Sequence, residues 1–260
     1  MITAMPTVDL NCDIGESFGA WTSGSDGELL AHVTSANIAC GFHAGDSSTM
    51  RRTIGLALDR GVALGAHPGL PDLAGFGRRV MEVTPAETYD MVVYQIGALA
   101  AFAAARGARL AHVKPHGALY NMAATRPPLA DAIARAVRDV DSRLLLFGLS
   151  GSALVSAARA LGLAAVEEVF ADRRYAPDGT LVQRAQPGAV IEDTGSAVEQ
   201  ALKMVREGRV IAIGGSEVPV KADTICIHGD TPGAAGHARA LRAALAAAGV
   251  EIAPPLSPTA

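Results

Sequence analysis

Val8-Asp9-Leu10-Asn11-Cys12-Asp13-Ile14 alternates apolar and polar residues without a break. A period of two is the signature of a β-strand. Val8, Leu10, Cys12 and Ile14 therefore form one face, and Asp9, Asn11 and Asp13 the other. The stretch from Ala111 to Gly117 follows the same rule. His112, Lys114 and His116 point one way, while Ala111, Val113 and Pro115 point the other; Pro115 and Gly117 then end the strand and turn the chain. Further short strands are predicted over Ser35 to Cys40, Val62 to Ala66, Ala164 to Phe170 and Thr224 to Ile227, with another candidate at Val210 to Ile213. Leu144 to Gly148 is wholly apolar, as suits a strand buried on both faces. Helical spacing fills the intervals. Helices are predicted over Asp26 to His32, from Asp46 or Ser47 to Leu58, from Thr84 to Arg106, from Pro127 to Val140, from a Ser150 cap to Leu161, over Thr194 to Glu207, and from Thr231-Pro232 to Gly249. The Thr84 start is the strongest, with Thr as cap, Pro next and Glu three residues on.

Strand and helix thus alternate about seven times without a run of hairpin signals, which predicts parallel strands covered by helices. A closed barrel and an open doubly wound sheet both satisfy that order. Polar loop residues favour the barrel, because every barrel strand delivers its C-terminal end to one mouth. Asp13, His43, His67, His116, Asp172 and His228 each follow or end a strand. The polar faces of the first, second and fourth strands, with Asn37 on the second, also suit a lumen. No linker interrupts the pattern, so one domain is expected over residues 1–253, with 254–260 as a disordered tail.

Composition narrows the setting. Half of the 260 residues are hydrophobic, enough for a large core, and the net charge of −4 gives no nucleic-acid surface. Three cysteines with no short spacing fit a reducing compartment. The N-terminus carries no leader pattern and no apolar run reaches membrane-spanning length, so a soluble cytoplasmic protein is expected.

The chemistry-bearing residues gather at strand ends. His43, His67, His116 and His228 do so together with Asp13, and histidine exchanges protons or binds metal near neutral pH. Asp13, His43, His67, Lys114 and His116 are the candidate catalytic set. Asn11, Glu16, Asn37, Arg78, His112 and His228 are candidate substrate contacts. A buried Lys114 needs a carboxylate partner, for which Asp13 and Asp9 are available, or a substrate anion. The bland alternatives are that Asp13 caps a turn, that the strand-end histidines are structural and that Arg78 lies in a solvated loop. Asp13, His43 and His116 as zinc ligands of an amidase or deacetylase is a further reading. No phosphate loop, Gly-x-Gly-x-x-Gly or Gly-x-Ser-x-Gly motif is present.

Asp9 to Glu16, Ser35 to Asp46, Gly65-Ala66-His67-Pro68, His112 to Asn121, Glu168 to Arg173 and His228-Gly229-Asp230 together resemble the LamB/YcsF family. The resemblance covers nearly the whole chain and is most specific from Ser35 to Asp46. It implies a distorted seven-stranded (β/α) TIM-like barrel of the glycoside hydrolase/deacetylase type. It also implies a part in ATP-dependent opening of 5-oxo-L-proline to L-glutamate, as the A component of a 5-oxoprolinase acting with subunits B and C. ATP would then be a co-substrate, with Mg²⁺, bound mainly by the partner subunits. A non-catalytic lactam-binding role is the remaining alternative.

Overall fold

The computed structural model describes residues 6–228 and 233–256, and for His228 the backbone alone. Ten strands and eight α-helices are described, in the order β1 (Thr7–Ile14), α1 (Asp26–Leu29), β2 (Ser35–Ala39), α2 (Ser47–Leu58), β3 (Ala63–His67), α3 (Pro85–Ala104), β4 (His112–Val113), α4 (Gly117–Thr125), α5 (Pro127–Val140), β5 (Leu145–Leu149), α6 (Ala153–Ala160), β6 (Ala165–Phe170), α7 (Thr194–Glu207), β7 (Arg209–Ile211), β8 (Glu217–Pro219), β9 (Thr224–His228), α8 (Ala234–Ala247) and β10 (Glu251–Ile252). Strands β1, β2, β3, β4, β5, β6 and β9 pair in parallel in that order, and β9 pairs back onto β1. The ring is closed with seven strands, as expected. β10 adds a short parallel pairing at the start of β1.

The alternation in β1 decides how the ring is filled. Val8, Leu10, Cys12 and Ile14 join the main hydrophobic core, which lies between the barrel and its helices. Asp9, Asn11 and Asp13 point into the lumen, where they meet polar groups from across the ring. Asp9 accepts from Thr34 Oγ1 (2.6 Å), Ser35 Oγ (2.8 Å) and Thr224 Oγ1 (2.5 Å). Asn11 Nδ2 donates to Thr224 Oγ1 (2.7 Å) and Glu168 Oε1 (2.9 Å). Asn37 Nδ2 donates to Asn11 Oδ1 (2.7 Å) and Asp13 Oδ1 (2.9 Å), and His112 Nε2 donates to Asn37 Oδ1 (2.7 Å). Each buried amide thus has its donors and acceptors met, which is what permits a polar lumen at all. Leu145, Phe147 and Val166 fill the opposite side, with Phe147 stacked on the His112 ring at 4.2 Å. Gly65 on β3 faces that ring directly, and a Cβ there would overlap it.

Helix starts follow their caps. Asp46 accepts from Thr49 N, and Thr84 with Glu87 forms the expected capping box. The helix predicted from Ser150 starts two residues later, because Ser152 is the cap and the Ser150 hydroxyl goes to Glu167 Oε2 instead. The His-Lys-His strand is shorter than expected. It ends at Val113, and Gly117 opens α4 where a turn was predicted. The segment from Val210 joins no barrel sheet. It forms an antiparallel hairpin with β8 across Gly214-Gly215, both at positive φ. The expected start at Thr231-Pro232 lies outside the described residues, as do residues 257–260 of the expected tail; Pro254 to Leu256 carry no regular structure. Among the described residues, no helix is long and apolar enough to cross a membrane.

Candidate functional site

The strand ends converge on one mouth. Asp13 closes β1, His67 closes β3, and Lys114 and His116 follow β4 directly. His43 lies in the loop after β2, and Phe76 to Arg78 lie in the loop after β3. Asp13, His67, Arg78, Lys114 and His116 line a cavity of about 730 Å³, whose far wall includes Tyr120, Phe170, Arg173 and residues 181–185. That volume falls within the range of small-molecule sites.

Lys114 sits at the floor and is 2% exposed. Its ammonium meets Glu168 Oε1 (2.8 Å), Cys226 Sγ (3.0 Å), Asp13 Oδ1 (3.1 Å) and Asn11 Oδ1 (3.2 Å). Burial works against its charge, but Asp13, Cys226 and Glu168 outweigh that and hold its pKa well above the ordinary lysine value. Three N–H donors facing four protein acceptors leave none for a ligand. The expectation that Lys114 binds a substrate anion is therefore not what its surroundings support; it is the counter-ion that keeps Asp13 in place. Asp13 is the partner anticipated for it. Asp9, the other, instead rests on hydroxyls one layer below, and burial raises its pKa to about 6.

Above Lys114 stands a wall of imidazoles. Asp13 Oδ2 is 3.3 Å from His67 Nε2, and His67 Nε2 is 3.0 Å from His116 Nδ1. His67 Nδ1 lies 2.7 Å from the Lys114 carbonyl, and His116 Nε2 lies 2.8 Å from the Phe76 carbonyl. The His43 ring stacks on His116 with centroids 3.8 Å apart and planes 4° from parallel. Burial first, then the neighbouring His116 and His67, push the His43 pKa well below its usual value; burial does the same to His116. Glu16 completes the cluster: one ligand atom each from Glu16, His43, His67 and His116 lies within 4.8 Å of the others. The glycines of the loop after β3 make this packing possible. A Cβ on Gly77, itself at φ 64°, would lie 2.7 Å from His43 Cβ and 2.9 Å from His116 Cδ2.

The structure thus brings together Asp13, Glu16, His43, His67, Lys114 and His116. Arg78 reaches the rim, its guanidinium 4.8 Å from the Phe76 ring centre. Neighbouring Arg79 instead pairs with Asp72. Asn11, Asn37 and His112, expected as substrate contacts, are sealed in the lumen beneath Lys114 and do not line the cavity. They hold the site from below. The backbone of His228 pairs with that of Asp13, while its side chain lies outside the described residues. Cys12 faces the helices, and burial pushes its thiol pKa well above the ordinary value. Glu168 and Cys226 do not stand out in the sequence. The parity of β6, with Glu168 in step with Val166 and Phe170, is the signal that could have found Glu168.

The LamB/YcsF family model matches residues 8–260. A Bordetella pertussis protein named as the A component of 5-oxoprolinase is 62% identical over 247 residues, covering 95% of this chain and 98% of its own length. The Bacillus subtilis protein of the same name is 59% identical over 245 residues, covering 94% and 95%. The crystal structure of the lactam utilization protein from Thermus thermophilus superposes with a TM-score of 0.89 at 51% identity, covering 95% of this chain and 99% of its own. With its closed seven-stranded barrel and this matching length, the chain belongs to the LamB/YcsF family.

Proposed function

We propose that this chain is the A component of an ATP-dependent 5-oxoprolinase, opening the lactam of 5-oxo-L-proline to L-glutamate with conversion of ATP to ADP and phosphate. The observation that carries the reading is the 62% identity, over nearly the full length of both chains, to a protein named as that component. The site agrees with that chemistry. A five-membered lactam is a poor electrophile, and transfer of the ATP γ-phosphoryl group to its amide oxygen activates the carbon and supplies the free energy. Water adds to that carbon with loss of a proton, the C–N bond breaks as the ring nitrogen gains one, and hydrolysis of the resulting acyl phosphate releases glutamate and phosphate. Asp13, its charge held by Lys114 and Asn37, is the proton acceptor at the mouth and passes that proton on to the ring nitrogen, while the imidazole wall of His67 and His116 positions the water. Arg78, at the rim, takes the substrate carboxylate.

The sequence contains no phosphate loop. We therefore assign nucleotide and Mg²⁺ binding chiefly to partner subunits B and C, with the whole working in the cytoplasm where ATP is supplied, and residues 1–253 acting as one domain. The test is glutamate release from 5-oxoproline and ATP, with the chain alone and with both partners. Turnover is expected only in the full set. Glutamate formed by the chain alone at the rate of the complex overturns the division of labour. No glutamate from the complex overturns the reading itself.

A further inference from the structure

Two ring nitrogens in the imidazole wall, His67 Nε2 and His116 Nδ1, face each other 3.0 Å apart. His67 Nδ1 is 2.7 Å from the Lys114 carbonyl, and His116 Nε2 is 2.8 Å from the Phe76 carbonyl. A carbonyl oxygen only accepts, so each of those nitrogens carries the ring hydrogen. In neutral rings this leaves His67 Nε2 and His116 Nδ1 as bare lone pairs, 3.0 Å apart. Beside them, His43 is fully buried and neither of its ring nitrogens has a hydrogen-bond partner. Glu16 supplies a carboxylate oxygen within 4.8 Å of all three rings' ligand atoms. Converging lone pairs and an orphaned buried imidazole cost free energy unless something electrophilic lies among them.

We propose that Glu16, His43, His67 and His116 form a binding site for one divalent transition-metal ion of the zinc class. Metal-bound histidines usually donate their second ring N–H to a backbone carbonyl or carboxylate, and His67 and His116 both do so here. At metal–nitrogen bonds of about 2.0–2.1 Å, nitrogens 3.0 Å apart subtend an angle of about 95°, and a widening of about 0.3 Å reaches the tetrahedral value. Three imidazoles with one carboxylate suit Zn²⁺, Co²⁺, Fe²⁺ or Mn²⁺ and disfavour Mg²⁺ and Ca²⁺, which prefer oxygen ligands. An ion here would ease the loss of a proton from bound water. Asp13 Oδ2, 3.3 Å from His67 Nε2, is the adjacent acceptor.

The site is tested on the isolated chain, without ATP or lactam, so its fate is independent of the 5-oxoprolinase reading. Chelator-stripped protein is titrated calorimetrically with Zn²⁺, Mn²⁺ and Mg²⁺, and crystals soaked in Zn²⁺ are measured at the zinc absorption edge. The expected result is one Zn²⁺ per chain, no competition from an excess of Mg²⁺, and an anomalous peak within bonding distance of His67 Nε2 and His116 Nδ1. His43→Gln and Glu16→Gln should each weaken Zn²⁺ binding by about 10-fold or more, the scale of losing part of a coordination set, with folding checked by circular dichroism. No stoichiometric heat together with no peak between the rings in the unaltered protein overturns the proposal, whatever the variants do. A peak elsewhere on the chain overturns it equally.

Discussion

Lys114→Met removes the cation that lies within bonding distance of both Asp13 and Glu168. Methionine is close to lysine in length and bulk, so the change leaves no large hole and isolates the charge. Asp13 Oδ1 and Glu168 Oε1 would keep amide donors from Asn37 and Asn11 but lose their shared counter-ion. Breaking a buried ion pair from one side costs about 3–5 kcal/mol, because the remaining charge is buried and uncompensated. For a chain of this size that corresponds to a fall in melting temperature of about 10 °C. Urea unfolding followed by circular dichroism reads the loss directly. Lys203→Met is the control, since Lys203 pairs with Glu207 and Glu217 at the surface and its loss should cost no more than about 1 kcal/mol. A Lys114→Met midpoint within experimental error of the unaltered protein would refute the counter-ion role.

Asp13→Asn should leave the fold intact. The amide oxygen still accepts from Asn37 and Lys114, its nitrogen can donate to His67 Nε2, and Lys114 keeps Glu168. Turnover by the reconstituted enzyme should nonetheless fall by about 10²-fold or more, the usual scale for an acid–base group; near-normal glutamate formation would sink the assignment. Burial, and then the nearby Lys114, lower the His112 pKa to about 3 from an unfolded 6.5. The stability that neutral His112 contributes is therefore complete above pH 6.5 and lost as pH falls through 3, and its ring NMR signals should not titrate between pH 8 and 5. A midpoint near 6.5 would refute that burial effect. Gly65→Ala places a methyl group on the His112 ring, displacing it from Phe147 and Asn37. That overpacking should cost about 1–3 kcal/mol or more, read as a lower urea midpoint; an unchanged midpoint would mean the lumen can yield.

The barrel was legible in the chain because β1 alternates so strictly. Once Asp9, Asn11 and Asp13 share a face, only a polar interior or solvent can receive them, and the polar strand ends argued for the interior. The partners of Lys114 were only half legible. Two adjacent glutamates lie near the end of β6, and only one can face inward. Glu168 does, in step with Val166 and Phe170, while Glu167 goes outward to Arg159 and Ser150; only that parity along the strand distinguishes them. Helix α4 was missed because its start carries no side-chain cap and opens on a glycine at positive φ, so the local residues signal a turn. The imidazole wall was legible as a set of strand-end residues but not as a set of tautomers. The carbonyls of Lys114 and Phe76 that fix the ring hydrogens belong to no motif.

The closure of the ring through β9 also bears on how the molecule is made. Thr224 completes the hydrogen bonding of Asp9 and of Asn11, residues 215 and 213 positions earlier. Cys226 meets Lys114 from 112 positions away. Until β9 emerges during synthesis, a nascent chain holds an open sheet whose inner face carries unpaired carboxylates, amides and an ammonium. Such a sheet gains little by collapsing early, since its lumen repels apolar surface and its two unpaired edges invite other strands. Native order is then gained late and all at once. A chain cut before β9 should remain a client of chaperones instead of settling into a smaller stable barrel.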